Sequence, residues 1–389
     1  SVTISYIGMK SIKTSVSSTM NVTMEWDNAN LDEVMVVAYG TAKKSSFTGS
    51  AATIKADDIN KLQVANPVEG LKGRVAGVQI YSNSGRPDGG TPTIRIRGIS
   101  SINAGNDPLI IVDGAPYPGD LSSINQQDIE TFSVLKDAAS AALYGARGAN
   151  GVIIITTKRT RSHHGARVTF DAKWGVNQVA QQRYETVRDA AGYYEAYHRA
   201  LRNESLYENL NAQNNYQLGD EKAAYEFANK NMQERLGYLT YTVPDGQNLV
   251  LENGKLNPAA TLGRVVKGKD ASGKPFDYTI TPDDWYELAY RPALRQEYNL
   301  NVAKGNDNSN IYFSMGYLDN KGILQNTDFK RITSRLKADW NAKDWLNFNT
   351  NITYTNSQSH NVEGEGDANS SGSIFGLVNN IAPIYPAYL

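Results

Sequence analysis

Three acidic side chains, Asp283, Asp284 and Glu287, stand close enough together to suggest hydrolysis. Glycoside cleavage uses a carboxylate pair at a fixed separation. No His, Cys or activated Ser accompanies them, so they resemble a catalytic pair without its supporting groups. His163 and His164 are adjacent, but no third ligand is spaced to complete a metal site, and a linker is the plainer reading. The chain has no cysteine, which excludes disulfides and thiolate metal sites. Glu363, Glu365 and Asp367 lie among glycines and read as an outer loop, with structural Ca2+ as the one cation option. Gly85, Gly89, Gly90, Gly98, Gly105 and Gly114 mark turns needing unusual φ values. No Gly-Lys-Ser/Thr follows any of them, so a phosphate cradle is not expected. These residues point away from an enzyme and away from a bound cofactor.

A different stretch is suited to binding through its backbone. Val34-Met35-Val36-Val37 is a short apolar run between polar flanks. It is too short to cross a membrane as a helix, which takes ~20 residues. Its β-branched content makes it a strand, and a strand inside a linker carries unpaired donors and acceptors. Either a distant part of the chain or another protein must meet them.

The elements around these residues come in three kinds. Residues 1–26 alternate (Val2, Ile4, Tyr6, then Met20, Val22, Met24, Trp26) and read as the last strands of a small β domain. Residues 27–50 form a linker holding the apolar strand. Residues 51–160 read as compact α+β. There Asp57-Asp58-Ile59-Asn60 can cap a turn, Pro67 suits a first helical position, and Leu71 and Val75 share a helix face. Strands are expected at 93–97, 109–112, 129–135 and 151–157, with Asp113-Gly114 as a tight turn and an alanine-rich helix at 138–143.

After residue 160 the period is two. Val168, Phe170, Ala172, Trp174 and Val176 oppose Arg167, Thr169, Asp171, Lys173 and Asn177. Segments 297–303, 311–317, 331–340 and 345–354 alternate in the same way. Their connections alternate in length: 305–310 and 342–344 are short, 178–294 and 319–328 long. That is the pattern of a transmembrane β-barrel with lipid-facing apolar residues, short periplasmic turns and long outer loops. A soluble antiparallel sheet with one wet face alternates identically, and the pattern leaves that alternative open. A barrel wide enough to hold a folded domain runs to ~22 strands, or about 220 residues at ~10 each. The insertion at 178–294 leaves no such room, so only the front of a barrel is expected in this sequence. Net charge is −1 and pI about 6.5, so no nucleic acid is expected as a partner. Tyrosine outnumbers phenylalanine 23 to 9, which fits a β protein facing water on one side and an apolar phase on the other.

The runs LDEVMVVAYG, GLKGRVAGVQI and SNSGRPDGGTPTIRIRGISSINAGNDPLIIVDGAPYPGDLSSINQQDIETFSVLKDAASAALYGARGANGVIIITTK resemble TonB-dependent outer-membrane transporters of the SusC/RagA family. LRQEYNLNVAKG, IYFSMGYLDNKGIL and RLKADWNAKDWLNFNTNITYT resemble that family's first barrel strands. The resemblance implies an α+β plug domain at 51–160 followed by the first strands of a transmembrane antiparallel β-barrel at 161–389, with 178–294 as its first extracellular loop. Residues 1–26 then resemble the end of a carboxypeptidase-regulatory-like domain.

The resemblance also implies roles. Asp32, Glu33, Val34, Met35, Val36 and Val37 match the TonB box, which the periplasmic C-terminal domain of TonB would pair with by β-augmentation. In the resting protein this strand is expected to be loosely held. Arg86, Arg95 and Arg97 are candidates for plug–barrel contacts, against ordinary solvated charge. Asn83, Asp88, Asn103, Asn106 and Asp107 could touch substrate, against use in local Asx turns. The implied activity is energy-dependent import of an oligosaccharide or oligopeptide across the bacterial outer membrane. A SusD-like surface lipoprotein would serve as lid, and transporter–lipoprotein pairs would dimerise. The plug and N-terminal domain would face the periplasm. A siderophore or cobalamin receptor without a lipoprotein lid is the alternative.

Overall fold

The computed structural model describes residues 2–4, 12–15, 22–23, 34–37, 40–43, 51–82, 85–103, 105–137, 141–160, 165–180, 186–208, 218–237, 239–362 and 374–387. These divide into two units. One comprises Ser1–Lys173, Gln296–Asn320 and Phe329–Ser359, the other Trp174–Arg295, Lys321–Asp328 and His360–Leu389.

The first unit opens with two small hairpins. β1 (Val2–Ile4) pairs antiparallel with β2 (Ile12–Thr14). β3 (Val34–Val37) pairs antiparallel with β4 (Gly40–Lys43), in the register Val34↔Lys43 to Val37↔Gly40. The apolar run is therefore not left waiting. Its nearest downstream neighbour, read from sequence as linker, satisfies one of its edges, as backbone groups demand wherever a partner is within reach. Among the described residues no third strand joins this sheet.

β5 (Ala51–Lys55) leads into a short helix at Ala56–Ile59 and a 3-10 turn at Pro67–Leu71, where the Asn66 side chain accepts from Val68 N. β6 (Val78–Tyr81) and β7 (Thr93–Ile96) form a separate hairpin. β8 (Leu109–Val112), β9 (Ala115–Pro116), β10 (Ile129–Leu135) and β11 (Val152–Thr157) complete a five-stranded sheet of order β5-β10-β11-β8-β9. β8 and β11 run parallel, and the other neighbours antiparallel. β11 has the sequence Val-Ile-Ile-Ile-Thr-Thr and every residue in it is buried. Ile153 and Ile155 pack with Phe132, Val134 and Leu71 on one side, while Val152 and Ile154 pack with Ile111 and Leu135 on the other. A strand covered on both faces reads as a continuous apolar run. The helix expected at 138–143 falls partly outside the described residues. The described part is a 3-10 segment, Ala142–Gly148, broken at Gly145.

β12 (Arg167–Asn177) begins the second sheet. Short strands follow in the connection: β13 (Tyr241–Thr242) with β14 (Thr261–Leu262), and β15 (Arg264–Lys269) with β16 (Pro275–Ile280). β17 (Ala293–Gly305), β18 (Ser309–Lys321), β19 (Asp328–Lys343) and β20 (Leu346–His360) then complete the order β12-β17-β18-β19-β20. The strands are longer than the alternation alone marked. Tight connections separate β17 from β18, where Asn306 N–H donates to Ser309 O at 2.8 Å, and β19 from β20.

The connection expected as a loop at 178–294 has a core of its own. Helix Ala190–Tyr207 starts at Asp189, whose carboxylate accepts from Gly192 N at 2.7 Å. Helix Glu221–Leu236 starts at Asp220 in the same way and stops at Gly237, where φ is 82°. Tyr194, Leu201, Ala228, Met232, Leu249 and Val250 are buried between them, and Ile384 from the chain's last described segment joins that core. Asp284 caps the short helix Trp285–Ala289, and Asp283 accepts from Ala387 N at 2.8 Å. Two of the acidic trio thus serve the fold, Asp284 as a helix cap and Asp283 as a clasp.

Candidate functional site

The wall strands bury the opposite set of residues from the plug sheet. In β19 the odd positions Arg331, Thr333 and Arg335 are buried, while Ile332, Leu336 and Trp340 are exposed. β18 buries Tyr312, Ser314 and Asn320 and exposes Ile311, Met315 and Tyr317. β17 buries Glu297 and Asn299. A soluble sheet with this alternation would turn its apolar face inward. Here the polar face meets the plug and the apolar face is open, as lipid requires.

The contacts across that polar face converge on one turn. Val112 and Ala115 are paired, so Asp113-Gly114 is a two-residue hairpin loop. Both residues have positive φ, 47° and 88°. A two-residue loop of this kind matches strand twist and favours Asp-Gly. The turn carries the Asp113 carboxylate to the wall. Oδ1 accepts from Thr157 N at 2.9 Å and Oδ2 from Thr157 Oγ1 at 2.6 Å. Arg335 Nη2 and Asn351 Nδ2 also donate to Oδ2, the latter at 2.9 Å, and Lys337 Nζ lies 3.6 Å from Oδ1. Burial alone would raise the pKa of Asp113. The Thr157 hydrogen bonds and the Lys337 and Arg335 charges outweigh it and hold the carboxyl below its ordinary value.

Other links flank this one. Arg331 Nη1 donates to the carbonyls of Ala65, Ser122 and Ile124. Asn125 Nδ2 donates to Asn299 Oδ1 at 2.8 Å and to Thr333 Oγ1 at 3.3 Å. Asn320 Nδ2 donates to Pro87 O at 2.6 Å. Thr160 Oγ1 donates to Ile311 O at 2.8 Å. Tyr312 OH donates to Asp128, whose carboxyl burial pushes above its ordinary range. Beside the Asp113 turn a cavity of about 230 Å³ remains, lined by Tyr117, Asn125, Asp128, Thr333, Arg335 and Asn351 among others.

This geometry agrees with what the chain resembles. The model of the TonB-dependent receptor plug domain matches residues 43–152. The TonB-dependent receptor SusC of Bacteroides thetaiotaomicron is 30% identical over the whole of this chain and 32% of its own length. The chain carries a TonB-dependent receptor plug and is similar to SusC along its whole length. The TonB-dependent receptor P3 of Formosa agariphila is 42% identical over 40% of the chain and 16% of its own length. A solved structure of the RagAB peptide importer in its open-open state superposes with a TM-score of 0.65 at 24% identity, covering 92% of this chain and 35% of the other. The chain spans about a third of the length of these relatives.

Within this SusC/RagA-type plug, the residues singled out from sequence are placed as follows. Asp32 and Glu33 of the TonB-box match lie outside the described residues, and Val34–Val37 form β3. Arg86 pairs with Asp88 at 2.8 Å, and Arg95 pairs with Asp107. The carboxylates these two arginines meet belong to the plug rather than the barrel. Asp88 lies two residues from Arg86, and Asp107 twelve from Arg95 at the far end of the loop after β7. Arg86 is still tied to the wall indirectly, because Ser359 Oγ donates to Asp88 Oδ2 at 3.0 Å. Asp88 is held below its ordinary value. Burial opposes this, and hydrogen bonds from Gly90 N, Arg86 and Ser359 prevail. Arg97 is exposed, with φ at 59°.

Asn83 lies outside the described residues. Asn106 braces its own loop: Oδ1 accepts from Ser100 N, Ser100 Oγ and Ser101 N, and Nδ2 donates to Ser101 O. Asn103 is exposed, and its N–H donates to Ser101 Oγ at 3.3 Å. His163, His164 and the acidic cluster at 363–367 are also outside the described residues. Sequence reading missed Asp113, Arg331, Arg335 and Lys337 as wall-to-plug links. The odd-numbered polar face of β19 and the Asp-Gly pair were both visible, but nothing in sequence joins positions 222 residues apart.

Proposed function

We propose that this protein imports an oligomeric nutrient across the bacterial outer membrane, driven by TonB. The observation that carries the reading is the inverted wall, with arginines, asparagines and threonines buried on a folded plug and aliphatic and aromatic side chains turned outward. A plug held mainly by hydrogen bonds to a polar wall, with one small apolar contact of Leu318 and Phe329 on Ala65, can let go while exposing little apolar surface, which an energised pull requires. TonB pairs with the free edge of β3 or displaces β4 from it, through main-chain hydrogen bonds. A surface lipoprotein closes the outer side, and such transporter–lipoprotein pairs dimerise.

Between peptide and glycan, the loop after β7 supports peptide. It exposes Ile99 and Ile102, at 76% and 98%, together with Arg97. The Ser100, Asn106 and Asn150 side chains, the groups a sugar would use, already brace the loop. The relative named as a peptide importer supports the same reading. Matches to a siderophore receptor of Acinetobacter baumannii and the ferrienterobactin receptor of Escherichia coli reach only 35% of the chain. The test is uptake of labelled oligopeptides by cells expressing the full-length protein. Val36→Pro removes a donor of β3 and should abolish uptake while leaving surface binding intact. Undiminished uptake by that variant would refute TonB pairing at β3. Absence of a co-purifying lipoprotein would favour the siderophore or cobalamin alternative.

A further inference from the structure

Two consecutive residues after β7 have left-handed backbone, Arg97 with φ at 59° and Gly98 with φ at 97°. Glycine suits that region, and a residue with a side chain is strained there. Arg97 N–H donates to Gly77 O at 2.8 Å, which holds the conformation. The side chain does nothing to offset the strain. Among the described residues it has no hydrogen bond, ion pair or ring contact, and it is exposed. An arginine kept where glycine fits best, with no internal contact to explain it, points to a use outside the fold. Ile99 and Ile102 follow in the same loop, both strongly exposed. We propose that Arg97 binds a carboxylate of an acidic oligopeptide, with Ile99 and Ile102 receiving its apolar residues.

The surroundings favour an anion. The loop after β7 is clamped to the segment between β10 and β11. Ser100 Oγ donates to Asn150 Oδ1 at 2.6 Å, and Asn150 Nδ2 donates to Gly105 O at 2.7 Å. The loop is therefore set before a ligand arrives, which lowers the entropy lost on binding. The two segments hold three cations, Arg97, Lys136 and Arg147, against two acids, Asp107 and Asp137. Asp107 is already paired with Arg95 from β7. Arg147 is exposed and, like Arg97, meets no partner among the described residues. The balance at this end of the plug is positive, and a guanidinium fork takes a carboxylate bidentately. A wall carboxylate is the other way to occupy Arg97. The described wall strands turn a polar face to the plug, which suits the guanidinium but not the two isoleucines, whereas an amphipathic peptide suits both. These loops lie at the Val152 end of β11. Past its Thr157 end, Thr160 Oγ1 donates to Ile311 O near the short β17–β18 turn. The loops thus face away from the short turns, which in a barrel is the outer side. That the group arriving there is cargo rests on the import reading.

Fluorescence anisotropy on the full-length protein tests this, with a labelled leucine–glutamate peptide and its leucine–glutamine counterpart as probes. The glutamate peptide should bind roughly 10- to 100-fold tighter, the range of a charged hydrogen bond. Arg97→Gly relieves the backbone strain, so it should melt no lower than the wild type, yet erase that preference. Arg97→Gln should erase it too, and Arg147→Gln should reduce it by a smaller factor. Equal binding of the two peptides by the wild type, or a preference that survives both Arg97 variants, would overturn the proposal. So would a wall carboxylate seated on Arg97 in a crystal structure of the full-length protein. Binding of an oligoglucuronate but of neither peptide would overturn the peptide assignment in favour of an acidic sugar. Glutamate-dependent binding without TonB-dependent uptake would refute the import reading and leave this site standing. TonB-dependent uptake of both peptides with no preference between them would do the reverse.

Discussion

β11 in the plug and β19 in the wall are both strands in contact with the same protein interior, yet they are written in opposite ways. β11 is Val-Ile-Ile-Ile with nothing exposed, whereas β19 alternates and turns its leucine, isoleucine and tryptophan outward. The plug strand belongs to a water-soluble domain and buries apolar groups on both faces. The wall strand has an apolar solvent on one side, so its charged face is the only one available for packing. Alternation by itself states that two environments exist; which residues the rest of the chain covers states which environment lies where. The difference also sets how each region can be disturbed. The plug core is held by area, at about 25 cal/mol per Å². The seam is held mostly by directed hydrogen bonds between a few side chains, with one small apolar contact of Leu318 and Phe329 on Ala65.

The largest effect should come from crossing the two rules inside the plug. Ile154→Asp places a carboxylate in a fully covered strand, where an unpaired charge is not tolerated. The full-length protein should then lose the plug fold, seen as loss of hydrogen-exchange protection across β10 and β11 while the wall stays protected. Retained protection would mean that the plug core is not the apolar sheet described.

Next comes the seam. Asp113→Asn leaves Arg335 and Lys337 without their carboxylate, a loss of about 3–5 kcal/mol for a buried pair broken on one side. The β8–β9 corner should exchange faster, with β10 and β11 unaffected. The pH profile has a definite sign. Asp113 sits below its ordinary 3.8 when folded, so its contribution is complete above that value and is lost as pH falls through the folded one. Seam protection in the wild type should hold from pH 7 to 5 and fall below about 3.8. In the variant this component should be absent.

The matched pair Phe348→Lys and Asn349→Lys tests the faces of β20. A lysine at the bilayer midplane costs about 2–4 kcal/mol, so the first should assemble poorly and the second nearly normally. Equal yields would contradict the face assignment. Gly114→Ala is the mildest, at about 1 kcal/mol for a β-carbon at φ 88°. It loosens the turn without touching its charge, so it should mimic Asp113→Asn in kind but not in pH dependence.

Much of this was legible in the chain. The strands at 109–112, 129–135 and 167–177, and the apolar and polar faces of β18 and β19, follow from local pattern alone. The Asp113-Gly114 turn was legible as a turn, because φ is a local property. Its role as an anchor was not, since that depends on Arg335, 222 residues later. β4 was hidden for another reason: Gly-Thr-Ala-Lys has no strand signature, and only proximity to β3 makes it pair. The helices at Ala190–Tyr207 and Glu221–Leu236 did carry signals, Asp189 and Asp220 at their N-caps. Those signals went unused because the surrounding segment was read by its length as loop.

The core that Ile384 shares with those helices has a bearing on how such proteins diversify. Trp285 Nε1 donates to Tyr385 O at 2.9 Å across 100 residues of chain, and Asp283 holds the next backbone N–H but one. Two connections far apart in the gene are thus one folded object. A recombination that replaced 178–294 alone would import a module with a missing face, and would leave the native 381–387 without its seat. Viable exchange between relatives has to move both stretches together, so their sequences should change in concert and chimaeras should be cut around the pair.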